Sequence, residues 1–254
     1  METYNSIPAR REWGPWATVG FGIVIGVVSF GVQVVAVIIT LAVVFASSPE
    51  LLQEDFLLDM FSVLGLCTSI ATIASAVIGG GILIVVIVVR KGISIKEYLG
   101  IKKIPLRTIF ISLAIVAAVI VIGDIANFAL GQQINADFMI DIYYTSVSPV
   151  LLWIAIVVFA PIYEEAFFRG FMYTGFVNTR FGVIGTIILS SFVWTALHSV
   201  QYGIFQLITL FFVGLILGYT RYRTGSLWAP IIMHSFMNAV AMAELAININ
   251  NLVG

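Results

Sequence analysis

Residues 148–177 read SPVLLWIAIVVFAPIYEEAFFRGFMYTGFV, an apolar run whose charged residues are Glu164, Glu165 and Arg169. About 20 predominantly apolar residues suffice for a helix to cross a bilayer. The stretch therefore reads as a membrane span with two adjacent carboxylates inside it. One carboxylate in that setting is costly, and two side by side cost more because like charges repel. A chain that carries such a pair points to chemistry, a buried acid/base site within the membrane.

The rest of the chain supports the membrane reading. Its 254 residues are 61% hydrophobic and 10% charged, with a mean hydropathy of +1.10. A soluble domain is about 45–50% apolar and about 25% charged. Lipid offers the backbone no hydrogen-bond partners, so only helices or a closed barrel can span. The apolar runs are continuous rather than alternating, which selects helices. The fold class is all-α, a polytopic transmembrane helical bundle forming a single integral membrane domain over 1–254. The expected spans number about seven, or eight, at roughly 14–46, 61–89, 107–130, 148–177, 181–200, 203–220 and 226–246. The lone Cys67 has no internal disulfide partner and reads as a buried inert thiol. The net charge of −1 gives no reason to expect a nucleic-acid partner.

The twelve basic residues set the orientation. Arg10 and Arg11 precede the first span. Arg90, Lys91, Lys96, Lys102, Lys103 and Arg107 connect the second and third. Arg169 and Arg180 lie at the end of the fourth, and Arg221 and Arg223 lie before the seventh. With a cytoplasmic N-terminus all of them fall on or near the inner side. The opposite connections carry Glu50, Glu54, Asp55, Asp59, Asp137 and Asp141. This is the positive-inside pattern. Residues 48–60 are amphipathic enough for an interfacial helix on the outer surface, or they form a plain loop. The expected location is the cytoplasmic membrane of a prokaryote.

Glu164 and Glu165 project about 100° apart on a helix, so they should have different jobs. Arg169, four residues after Glu165, stands where helix side chains meet. Glu165 and Arg169 then neutralise each other, and Glu164 is the freer carboxylate, suited to a general base. The structural alternative, an ion-pair network joining helices, is disfavoured because such pairs rarely repay their desolvation. The two histidines of the chain, His198 and His234, lie in other apolar segments, with Asn238 one helical turn after His234. Singly, each histidine reads as a satisfied polar residue at a helix interface. With the glutamates they read as a site.

Depth brings these residues together. With about 1.5 Å of rise per residue, Glu164 lies roughly 24 Å below the outer end of its span and His198 roughly 18 Å. On the same scale His234 falls near 30 Å and Asn238 near 24 Å, one band about 12 Å thick. Pro161 and Pro230 each remove a helix hydrogen bond just before a candidate residue and are expected to kink their spans. Gly214 and Gly218, and the run Gly79-Gly80-Gly81, are expected at close helix contacts. Asp124 in the third span, with Asn127 one turn later, is expected to hydrogen-bond a neighbouring helix, with a cavity-lining position as the alternative.

These residues resemble the CPBP family of intramembrane proteases, the group that includes the CAAX prenyl endopeptidases and the Abi proteins. The family's Glu-Glu-x-x-x-Arg is matched by Glu164, Glu165 and Arg169. Its Phe-x-x-x-His is matched by Trp194 and His198, with Trp in place of Phe, and its His-x-x-x-Asn by His234 and Asn238. The resemblance covers roughly residues 148–246 and implies an endopeptidase acting on a membrane-associated protein or peptide, such as a CAAX protein, a bacteriocin precursor or a regulator. It implies that Glu164 and His198 activate water, that His234 and Asn238 stabilise the oxyanion, and that Glu165, Arg169 and Trp194 support the site. Glu164, His198 and His234 also make a His₂Glu set of the kind that holds catalytic zinc. No His-Glu-x-x-His is present to demand it, and Asn238 favours a metal-free, glutamic-type route with no cofactor. A catalytically silent immunity or scaffold protein, and a proton-coupled transporter, are the competing readings. The transporter reading lacks an evident inverted repeat.

Overall fold

The computed structural model describes residues 12–48, 62–131 and 137–253, with side chains up to residue 247. Arg10, Arg11, Glu50, Glu54, Asp55, Asp59 and most of the 48–60 segment lie outside the described residues. Among those described, the chain is all-helical. The elements are α1 (Pro15–Ser47), α2 (Leu64–Val89), α3 (Ile95–Leu99), α4 (Leu106–Ala129), α5 (Asp137–Tyr144), α6 (Pro149–Val177), α7 (Gly182–Leu197), α8 (Ile204–Thr224) and α9 (Trp228–Val253).

Six of these, α1, α2, α4, α6, α8 and α9, are long and apolar enough to cross a membrane, and α7 is a shorter apolar helix. The chain is thus an integral, multi-pass membrane protein. Its seven apolar helices coincide with the seven expected spans to within a few residues at most ends. Side chains such as Val24, Val27, Phe30, Ile38, Val85 and Phe128 stand exposed on the helix faces. In water that would be an expensive surface, whereas in a bilayer it is the solvent-facing one.

Local chemistry explains the helix ends. Ser148 accepts a hydrogen bond from the Leu151 N–H at 3.3 Å, and Pro149 follows where its missing N–H costs nothing. Ser94 caps α3 in the same way, and Gly100 ends it in the left-handed region with φ +69°. The Arg221 guanidinium packs against Gly100, in the space a side chain there would need. Pro230 lies in the first turn of α9, where its nitrogen removes no interior hydrogen bond. The expected kink before His234 is therefore absent, because the helix begins later than the apolar run.

Helix packing uses the expected glycines. A Cβ on Gly214 would lie 2.9 Å from that of Ser191, and one on Gly218 equally close to Ile187, so α8 sits tightly on α7. Of the run Gly79-Gly80-Gly81 only Gly79 makes such an approach, against Ser29 and Tyr163, and Gly65 of the same helix packs as closely on the backbone of Ile142 and Ser146. Cys67 is buried in α2. One apolar core, formed by Val116, Phe168, Trp194, Val213, Leu217 and Met233, packs directly under the candidate site.

Candidate functional site

The α6 helix changes register twice around its carboxylates. Ile154–Phe159 and Ala166–Met172 are π-helical, and the α-helical segment between them is Ala160–Glu165. The cause lies partly in Pro161. At the end of the first π segment the Ala160 N–H donates to the Ala155 carbonyl, five residues back. The Ile156 carbonyl thereby loses the Ala160 donor, and Pro161, five residues on, has no N–H to give. Asn238 of α9 fills that gap, donating from Nδ2 to the Ile156 carbonyl at 2.8 Å. Asn238 is thus tied to α6, and its second amide hydrogen remains for another acceptor.

Glu165 and Arg169 are fully buried, and Arg169 Nη1 donates to Glu165 Oε1 at 2.8 Å. The same oxygen lies 2.9 Å from His234 Nδ1. Arg169 Nη2 donates to the Gly214 carbonyl at 3.2 Å, and its guanidinium lies 5.0 Å from the centre of the Trp194 ring. One carboxylate oxygen therefore ties α6 to α9, and its arginine ties α6 to α8. The expected Glu165–Arg169 pair is present. The contact of Glu165 with His234 was not visible in the sequence, since the two are 69 residues apart.

Glu164 is only partly buried and lines the cavity described below. Its Oε2 accepts from the Trp194 indole N–H at 2.5 Å. His198 follows the end of α7, where its own backbone N–H bonds Thr195 rather than Trp194. Its ring takes the freed acceptor: Nδ1–H donates to the Trp194 carbonyl at 2.8 Å. That bond fixes the proton on Nδ1 and leaves Nε2 with its lone pair. The rings of His198 and His234 lie 5.0 and 5.4 Å from the Trp194 ring, both edge-on. Trp194, read from the sequence as a support, touches Glu164, His198, His234 and Arg169.

Glu164, His198, His234 and Asn238 line one cavity of about 960 Å³, with Trp194 in its wall. Tyr202, between α7 and α8, also lines it, 6.1 Å from the His198 ring. Burial, with the Glu164 carboxylate adding to it, pushes the Tyr202 phenol up to about 12, so it stays a neutral donor at physiological pH. No motif singled this residue out, although it stands one turn after His198. Tyr163 lines the same cavity, and its hydroxyl bonds Ser29 of α1 at 2.6 Å. Asp124 lines the cavity too and has no hydrogen bond to a neighbouring helix among the described residues, which corrects the expectation made for it. A zinc ion would need three donors around one point. Among the described residues no three His, Cys, Asp or Glu side chains converge in that way, so Glu164, His198 and His234 as arranged here do not fit one.

Residues 146–240 match the family model described as Rce1-like, type II CAAX prenyl endopeptidase Rce1-like. That segment contains α6 to α8, the first half of α9 and every side chain of the Glu-Glu, Trp and His motifs. It agrees with the resemblance carried by those motifs, and the matched family is one of endopeptidases. An Escherichia coli protein described as an uncharacterized 24.3 kDa protein is 34% identical over 87 residues, which is 34% of this chain and 40% of that protein. The chain thus aligns with less than half the length of that relative. No solved structure matches.

Proposed function

We propose that the protein is an intramembrane endopeptidase of the glutamic type, hydrolysing a peptide bond of a membrane-associated protein or peptide without a metal. The observation that carries this reading is the placement of Glu164, His198, His234 and Asn238 on one cavity, each held by a named partner. The family match over 146–240 supports the reaction class.

In this reading a water molecule bound between Glu164 and the free Nε2 of His198 gives up a proton to them as its oxygen attacks the scissile carbonyl carbon. The carbonyl electron pair moves onto oxygen, and Asn238 and His234 stabilise the oxyanion. Collapse restores the carbonyl and breaks the C–N bond, and the departing amine takes the proton back from the base. His234 can donate from Nε2 only as an imidazolium, because Nδ1–H already points at Glu165. The active site opens to substrate in a membrane whose inner face bears the basic connections, with the N-terminus inside, as in a prokaryotic cytoplasmic membrane.

The test is cleavage of candidate membrane peptides by purified protein in detergent. Positioned acid–base catalysis contributes about 10²–10⁴-fold, so Glu164→Gln and His198→Ala should each lower kcat by at least about a hundredfold. Cleavage undiminished in both variants would sink the assignment. Full activity after strict metal removal is expected, and its loss, restored by zinc, would overturn the metal-free route.

A further inference from the structure

We infer that the cavity carries a second subsite, formed by Asp124 and Asn127 of α4 and Glu244 of α9, that binds a basic group of the substrate. What the ligand belongs to rests on the peptidase reading above. All three residues line the cavity that holds Glu164 and His198. Asp124 and Asn127 are one turn apart and share a helix face. The α4 and α9 helices pack together.

None of the three is satisfied by the protein. Among the described residues, neither Asp124 nor Glu244 has an ion-pair or hydrogen-bond partner. Asn127 is only 7% exposed, lines the cavity, and its carboxamide has no partner among the described residues. A carboxamide that makes no hydrogen bond to the protein, on a cavity lined mostly by apolar groups, gains from a polar ligand group. Two carboxyl groups and an amide oxygen form an acceptor-rich set, complementary to the N–H groups of an ammonium or guanidinium. An anion would be repelled there, and an apolar tail would leave all three groups unsolvated.

The subsite also lies at a usable distance. Glu244 is six residues beyond Asn238 on α9, about 9 Å along the axis. An extended peptide advances about 3.3 Å per residue. A lysine or arginine about three residues from the scissile bond would therefore reach it.

The inactive variant Glu164→Gln allows binding to be measured without turnover. The probes are a fluorescein-labelled short apolar peptide carrying one lysine and its counterpart with norleucine at that position. The lysine peptide should bind at least about tenfold more tightly, the scale of a charge-assisted contact. Adding Asp124→Asn and Glu244→Gln should erase that preference. Equal binding of the two peptides, no binding of either, or a preference that survives both substitutions overturns the subsite. The lysine-versus-norleucine comparison needs no subsite variant, so poor folding of the substituted protein leaves it decisive. Cleavage of both peptides by the wild type separates the two claims. Cleavage that depends on Glu164 but ignores lysine refutes the subsite alone. Lysine-selective binding without any cleavage refutes the peptidase reading alone.

Discussion

Trp194 does what a phenylalanine at that position cannot: its indole N–H holds one oxygen of Glu164, beside a ring that contacts both histidines. A hydrogen bond to a charged group is worth about 1.5–3 kcal/mol. Trp194→Phe keeps the aromatic packing and removes the donor, so kcat should fall about ten- to a hundredfold with KM little changed, as steady-state kinetics would show. The neighbouring carboxylates should separate cleanly by stability. Glu165→Gln strips the charge from a buried pair and leaves Arg169 uncompensated, a change that costs about 3–5 kcal/mol. Its thermal unfolding in detergent should drop well below that of the wild type, whereas Glu164→Gln should unfold close to the wild-type temperature. Equal effects of the two substitutions would refute the division of labour between them.

At the scale of elements, α6 owes its shape to a register change that links Pro161, Ile156 and Asn238. The positions of the spans were legible in the sequence, because the length of an apolar run is a local property. The shared depth of Glu164, His198, His234 and Asn238 was legible too, since helical rise is nearly constant. The first π-helical segment was not, because it depends on a donor from another helix 82 residues away. The same reason hid the Glu165–His234 contact. Pro230 misled in the opposite direction: its effect depends on where α9 starts, and an apolar run does not mark that. The α7–α8 contact gives a direct check at this scale. Gly214→Leu would force its side chain into Ser191, and overpacking typically costs about 1–3 kcal/mol. The variant should unfold earlier than the wild type, while Gly81→Leu, with open space around it, should not.

Across the whole molecule, exposed apolar helix faces surround a cavity in which Glu164, His234 and Asn238 are each oriented by a partner from a different helix and His198 by the end of its own. Carboxylates and histidines buried at this depth are expensive, and in the proposed mechanism that cost serves water activation and oxyanion stabilisation. A transporter or a silent scaffold could hold the same side chains without transferring water to a peptide carbonyl. The most direct measurement is therefore cleavage in water enriched in heavy oxygen, with the products read by mass spectrometry. The wild type should place one heavy oxygen in the new C-terminal carboxyl group, and Glu164→Gln should yield no labelled product above background. Product formed without heavy oxygen, or the same labelled yield from Glu164→Gln, would contradict the account.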